Sequence, residues 1–396
     1  MSSTSPPTAK AAHDRLAGIY LHCPFCVRKC PYCDFYSTTA TSRQTHFQRA
    51  IITEISIRKA EHLTFDSLYF GGGTPSVIDP DFIEQVIELA HLNFDLRPDT
   101  EFTLEANPGT LSAGKFECYR RMGINRFNIG IQSFQSSNLE FLGRIHSAGE
   151  GYQAFDMARK AGFRNIGIDL IYGLPGQSSA DWLADLKCAL TLSPEHIAAY
   201  MLTYEKGTPL TRAKQQGRFI PLSDDALAEL FETTVNHLET HGYHHYEVSN
   251  FARQADSQED SFRSRHNLKY WNLSPYIGLG PAAHSYENGR RSWNTASLDS
   301  YISALDKGER PLAGQEQLNR EQQLMEALYL GLRQTQGISL VGFKDQFGID
   351  FSALYPESIE QLLAHGLIRF TETHCRLTLR GMLLLDSVVG LLVAGG

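Results

Sequence analysis

A chain of 396 residues, 42% hydrophobic and 20% charged, is long enough for a sizeable core and for two or three domains, or for one large barrel with an appendage. Its formal net charge of -8, with Lys and Arg dispersed along the chain, leaves no electrostatic footprint for nucleic acid. Seven cysteines, four of which (Cys23, Cys26, Cys30 and Cys33) fall within eleven residues, exclude a small secreted disulfide framework and point to metal or redox chemistry.

The N-terminal tail, residues 1–17, is polar and lacks the apolar region of a signal peptide. Beyond it, short β-branched or aromatic runs predict strands at 18–22, 67–71, 101–105, 126–131, 165–172 and 197–203. Amphipathic stretches between them predict helices at 44–61, 81–92, 112–122, 152–161 and 181–190. Strand and helix in alternation imply a parallel sheet with crossover helices, and in such sheets function gathers at the C-terminal ends of the strands. There the sequence places its unusual residues: the cysteine cluster, Gly71-Gly72-Gly73-Thr74-Pro75, Glu105, Gln132, Asp169, and Tyr204-Glu205. Periodicity leaves open whether the sheet curls into a barrel or stays doubly wound.

Past Asp224 the pattern changes. A helix is expected at 226–241, a strand at 243–248, a flexible polar loop at 253–265, and a Gly- and turn-rich stretch at 278–289. From about Gln315 come a helix at 320–333, a short strand at 338–340, a helix at 358–365 and two strands near 367–370 and 376–379. This order suggests a small winged-helix-like domain. The apolar run around Met382–Val393 carries Asp386 and is too short to span a bilayer, so the expected setting is soluble and cytoplasmic, where thiols stay reduced.

Cys26-x3-Cys30-x2-Cys33 is the strongest signal. Soft thiolates select iron–sulfur or zinc. Structural zinc wants four closed ligands, and an electron-transfer cluster also takes four cysteines. Three in one loop therefore suggest a [4Fe-4S] cluster with one iron left open, with zinc or free thiols as the alternatives.

The stretch Tyr20-x-His22-x-Pro24-Phe25-Cys26-x3-Cys30-x-Tyr32-Cys33-Asp34-Phe35 resembles the radical S-adenosylmethionine enzymes, and within them the group of the oxygen-independent coproporphyrinogen dehydrogenase. The resemblance covers nearly the whole chain. It implies an α/β fold: a partial TIM-type (β/α)6 barrel at 18–224, an extension at 225–314 and the winged-helix-like domain at 315–396. It implies a [4Fe-4S] cluster on Cys26, Cys30 and Cys33, whose open iron chelates S-adenosylmethionine; one electron then cleaves the sulfonium to methionine and a 5′-deoxyadenosyl radical. A reduced flavodoxin-like protein is the expected electron donor, with Arg28 and Lys29 of the cluster loop available to an acidic partner. By the same resemblance Tyr20, Tyr32, Gly72, Gly73, Thr74, Glu105, Gln132, Arg144 and Asp169 match the positions that contact S-adenosylmethionine. At Gly72 and Gly73 the absent side chains would let backbone approach the ligand's methionine end.

Two places set the chain apart from the dehydrogenases. They carry a further cysteine two residues after the last ligand, where this chain has Phe35. And His266-Asn267-x-x-Tyr270-Trp271 is the HNxxYW pattern typical of the HemW group of haem chaperones. That branch implies haem as a further cofactor, with His266, Asn267, Tyr270 and Trp271 as haem-site residues. It also implies a haem-acceptor protein, for which respiratory cytochromes and a membrane-associated acceptor come into view. Cys23 reads as a small hydrophobe closing a strand; His244, His245 and His284 have no motif to raise them. Three functions therefore stand side by side: a haem chaperone, a dehydrogenase that oxidatively decarboxylates coproporphyrinogen III propionates, and a radical enzyme with another substrate.

Overall fold

The computed structural model describes residues 16–255 and 261–394. The tail up to residue 15 and the middle of the loop expected at 253–265 lie outside the described residues. Six strands, β1 (Ala17–Cys23), β2 (Thr64–Gly72), β3 (Asp95–Ala106), β4 (Arg126–Gln132), β5 (Ile166–Tyr172) and β6 (His196–Met201), run parallel and side by side in chain order. The order never reverses, so the sheet is a partial (β/α)6 barrel and not a doubly wound one. Helices α1 (Gln44–Ile57), α2 (Pro80–Asn93), α3 (Ala113–Arg121), α4 (Ser136–Phe141), α5 (Ala148–Lys160) and α6 (Ser179–Leu192) make the crossovers. Capping boxes start α5 (Ser147 with Glu150) and α6 (Ser178 with Asp181), so sequence chemistry fixes both helix starts.

Register sorts the strand side chains into two layers. Ile19 lies beside Leu68, Leu68 beside Phe102, and Phe127 beside Ile166; this apolar layer is buried under the helices. On the alternate positions Tyr20 lies beside Tyr69, Glu105 beside Asn128, and Gly130 beside Asp169. The concave face is thus polar, and burying those groups costs free energy unless each is hydrogen-bonded.

After α7 (Pro209–Gln215) and α8 (Asp224–Thr240), the hairpin β7 (Tyr243–Glu247) and β8 (Asn250–Arg253) joins the free edge of β6 in antiparallel fashion. Then α9 (Arg265–Trp271) lies across the start of β1 and β2, where it closes the floor of the half-barrel. The stretch expected to be turn-rich instead holds β9 (Tyr276–Leu279) and β10 (His284–Glu287); strands of four residues around a turn carry too little periodicity to be read. With β11 (Arg290–Asn294), α10 (Leu298–Asp306) and β12 (Leu312–Gln317) they extend the β1 edge, completing a twelve-stranded sheet.

The C-terminal part comprises α11 (Arg320–Arg333), β13 (Ile338–Ser339), α12 (Leu340–Phe347), α13 (Phe351–Leu354), α14 (Pro356–Ala364), β14 (Ile368–Phe370), β15 (His374–Leu377), α15 (Leu379–Leu383) and α16 (Leu385–Ala394). Its three strands form a separate antiparallel sheet in the order β13-β15-β14. The apolar run is α15 and α16, whose Val388 and Leu392 are buried as α16 packs on α11. No helix among the described residues is long and apolar enough to cross a membrane.

Candidate functional site at the mouth of the half-barrel

β1 ends at Cys23, fully buried and paired with Gly72. Burial pushes its thiol well above the ordinary range, so it packs as a small apolar group. The cluster loop follows and is pinned along its back. Phe25 bridges Thr38; the Cys26 amide donates to the Thr38 carbonyl at 2.9 Å, and the Leu210 amide to that of Pro31 at 2.9 Å. The Thr74 hydroxyl donates to Cys26 Sγ at 3.4 Å, and Arg144 Nη1 to Cys30 Sγ at 3.5 Å. Two side-chain donors thus face the sulfurs of Cys26 and Cys30 and fix where they sit. Cys33 and Tyr32 line the adjoining cavity. Arg28 and Lys29 are exposed on the loop's outer side.

The glycine turn after β2 meets this loop. The Gly73 amide donates to the Cys23 carbonyl at 2.8 Å, and the Thr74 amide to that of Phe25 at 2.8 Å. A Cβ on Gly73 would sit 2.8 Å from each of those two oxygens. Gly72 holds φ 105°, and a Cβ there would strike the His22 ring. Both glycines are therefore demanded by the protein's own loop packing, whatever approaches from the cavity side.

The next three strands bring polar groups to the same mouth. Glu105 accepts a hydrogen bond from Tyr69 Oη at 2.6 Å, and burial pushes its carboxyl up to about 7. Asp169 is held by Asn128 Nδ2 at 2.8 Å to each oxygen, and burial pushes it up to about 6. Gln132 stands at φ 70°, at the register shift between β4 and β5, a left-handed position that non-glycine residues seldom take without cause. Arg144 Nη2 donates to the Gly130 carbonyl at 2.7 Å. Gln132 Oε1, Asn128 Oδ1 and Arg144 Nε are buried without a partner among the described residues, the pattern of a polar site built for a ligand.

These residues line one end of a cavity of about 970 Å³. Of the expected S-adenosylmethionine contacts, Tyr32, Gly72, Gly73, Thr74, Glu105, Gln132, Arg144 and Asp169 line it together. Tyr20 does not; it lies one layer lower, stacked on Tyr69 with ring centres 6.1 Å apart. Phe35, 67% exposed, forms part of the rim beside Cys33. The far end is walled by Tyr200, Leu202 and Phe231 from the barrel side and by Met382, Leu384 and Leu385 from α15 and α16, with Arg333 of α11. Sequence reasoning missed Asn128 and Tyr69, although strand alternation puts both on the concave face. It also missed Arg333 and the α15–α16 wall, for which no local signal exists.

The HNxxYW residues lie elsewhere. His266, on α9, is 1% exposed at the barrel floor. Its Nδ1 is 3.0 Å from Ser67 Oγ and its Nε2 2.9 Å from Tyr270 Oη, and its ring stacks on Tyr69 and Tyr20. Neither ring nitrogen is open to a haem iron in this arrangement, and burial holds the imidazole neutral, down to about 3. Asn267 is half-buried, its backbone amide donating to the Ser264 cap. Trp271 is half-buried under the Arg333 guanidinium, 4.5 Å from ring centre to guanidinium carbon. His245 is buried against Phe251, and exposed His284 stacks on Trp293.

Comparison with known proteins identifies the family. Residues 20–189 match the radical SAM superfamily, and residues 318–384 the HemN C-terminal domain. A Bacillus subtilis protein named "Heme chaperone HemW" is 34% identical over 377 residues, covering 94% of this chain and 97% of its own length. The chain belongs to the HemW family. The Escherichia coli HemW is 31% identical, with 95% and 98% covered. A zebrafish mitochondrial protein, "Radical S-adenosyl methionine domain-containing protein 1", is 32% identical, with 96% and 87% covered. Among solved structures, the Escherichia coli coproporphyrinogen III oxidase HemN superposes with a TM-score of 0.81 at 22% identity, over 96% of this chain and 90% of that one, which shows the shared fold.

As a radical SAM protein the chain takes a [4Fe-4S] cluster and S-adenosylmethionine, and the residues present fit them. Among the described residues no three His, Cys, Asp or Glu groups gather tightly enough to hold a single metal ion; a cluster asks only for a wider triangle of thiols, one per iron. The unpartnered Gln132, Asn128 and Arg144 atoms and the two half-buried carboxyls suit a ligand that carries hydroxyls and positive charge. When bound, the pair supplies one-electron radical chemistry. The protein's own part is to orient it, with Arg144 bracing the Cys30 sulfur and the β4 carbonyl at once.

Proposed function

We infer that the protein is a haem chaperone that binds haem beside its [4Fe-4S] cluster and S-adenosylmethionine and hands the haem to an acceptor protein. One observation carries the reading: a single cavity of about 970 Å³ lined by polar groups beside the cluster loop and, against α15 and α16, by Met382, Leu384 and Leu385 together with Arg333 and Asp386. That volume is at the upper limit for one small ligand, and the two ends suit two different molecules. The HemW relatives, which this chain matches from end to end, support it.

In this reading Cys26, Cys30 and Cys33 hold the cluster. Glu105 and Asp169 face the ligand's positive charge, Gln132 its hydroxyls and Arg144 its carboxylate, while Gly72, Gly73, Thr74 and Tyr32 shape the wall. Tyr20 acts from beneath by stacking. The HNxxYW segment bears on haem through Trp271, which supports a cavity-lining arginine, with His266, Asn267 and Tyr270 shaping the floor below. Residues 18–224 then carry the cofactors, 225–314 close the floor and flank the sheet, and 315–396 wall the haem end. A flavodoxin-like reductant docking at Arg28 and Lys29, a respiratory cytochrome or other membrane-associated acceptor, and a cytoplasmic setting complete the picture.

Titration of the purified protein with haem, followed by transfer to apo-cytochrome, tests it: a stable stoichiometric complex is expected, and absence of haem binding overturns the reading. The HemN-like fold keeps coproporphyrinogen oxidation as the second reading. Protoporphyrinogen formed anaerobically at useful rates, with reduced cluster and S-adenosylmethionine, would favour it; exposed Phe35 at the position of the dehydrogenases' extra cysteine argues against it.

A further inference from the structure

The far end of the cavity holds a cation that the cluster and S-adenosylmethionine chemistry leaves unused. Arg333, the last residue of α11, lines the cavity. Its Nε donates to Glu247 Oε2 at 2.7 Å, and Glu247 is 0% exposed. Its guanidinium lies over the Trp271 ring at 4.5 Å. An ion pair at one edge and an aromatic face beneath fix the plane of the group. Its two terminal amino groups make no hydrogen bond among the described residues. A guanidinium held by Nε with both terminal nitrogens free is a ready fork for a carboxylate, two parallel N–H donors set in advance.

The surroundings define what such a carboxylate belongs to. Leu202, Phe231, Met382 and Leu384 line the same end. The nearby acid Asp386 is engaged by Tyr329. Among the described residues no histidine lines the cavity, so a ligand seated here is gripped by its acidic edge and its apolar faces. We propose that Arg333, held by Glu247 and Trp271, is the anchor for a propionate of haem, with the macrocycle lying against the α15–α16 wall. The proposal rests on the haem-chaperone reading and adds to it the place and the polar anchor. It also gives the HNxxYW tryptophan a part that needs no bond from His266 to iron.

Two ligands and two variants test it. Wild-type protein with its cluster is titrated with haem and with haem dimethyl ester, whose propionates carry no charge, following the Soret band. Haem should bind about tenfold or more tightly than the ester, the usual strength of a charge-assisted pair. Arg333→Gln is made together with Glu247→Gln, so that no buried carboxylate is left uncompensated; Glu247→Gln alone, which loosens the guanidinium's seat but keeps its charge, should narrow the preference without abolishing it. In the double variant haem affinity should fall to that of the ester, with ester affinity unchanged. Equal binding of haem and ester by the wild type, or a preference that survives in the double variant, would overturn the anchor while leaving haem binding intact. A wild type that binds neither overturns the haem-chaperone reading itself.

Discussion

Glu105 and Asp169 show how single residues at the barrel mouth are tuned by their surroundings. Glu105 lies at the C-terminal end of β3 and Asp169 in the middle of β5, where burial raises them, to about 7 and about 6, against the stabilising bonds from Tyr69 and Asn128. A raised carboxyl is neutral below its folded value and loses its pull on a cationic ligand there. S-adenosylmethionine affinity should therefore fall as pH drops from 8 to 6. Calorimetric titration of Glu105→Gln against wild type should show a gap that is widest near pH 8, on the order of tenfold, and closes towards pH 6. A gap of constant size would place Glu105 away from the ligand's charge. Gly73 is decided by contact distance. Ala there meets two carbonyl oxygens at 2.8 Å and should cost about 1–3 kcal/mol, shifting the cluster loop so that iron content after anaerobic reconstitution falls. Full iron content at wild-type melting temperature would remove that argument.

At the level of elements, α9 has the most to explain. It closes the half-barrel floor with His266 between Ser67, Tyr69, Tyr20 and Tyr270, and Lys269 beside it pairs with Asp66. His266→Ala leaves two buried hydroxyl groups without their imidazole partner and opens a cavity under the tyrosines, so a loss of about 2–4 kcal/mol is expected in denaturant melts. Haem affinity of the folded fraction should change less than twofold; a larger change would return the imidazole to the haem site. Buried neutral histidines recur through the protein: His22, His146 and His245 are held down at about 4, and His266 at about 3, each by desolvation. The unfolded chain protonates these near 6.5 while the folded one does not. Their contribution to stability is thus complete above pH 6.5 and is lost as pH falls through 6.5 towards 4. The carboxyls that burial raises, Glu54, Glu105, Asp169 and Asp185, oppose this over the same range. The lowered histidines outnumber them, since His196, His237 and His244 are held down by desolvation too. The melting temperature should fall on acidification below 6.5, and His266→Ala should make that slope shallower.

For the whole molecule, the proposed seating of two ligands in one cavity implies coupling. Saturating S-adenosylmethionine should shift the haem dissociation constant, and haem should shift that of S-adenosylmethionine by the same factor, because linkage is reciprocal. Paired titrations measure both; a factor of one in each direction would mean that the two ends do not communicate. The cavity exists only because α15, α16 and the end of α11 are brought over the barrel mouth. Nothing local in 379–394 marks that run as a wall, since its apolar residues read equally well as plain core.

What the sequence determined by itself is what depends on short-range pattern. Strand and helix periods, the capping boxes and the three cysteines of one loop are neighbours in the chain, and their chemistry is complete within a few residues. The same holds for Glu105 and Gln132 at strand ends and for Asp169 within β5, whose positions follow once the strands are parallel. The tertiary structure decided everything that depends on approach between distant segments. It seated His266 on the floor and away from the cavity, because α9 packs on the starts of β1 and β2. It joined Trp271, Glu247 and Arg333 from three separate elements into one fixed guanidinium. And it made Gly73 indispensable to the loop that follows β1, a contact set by how two strand ends meet.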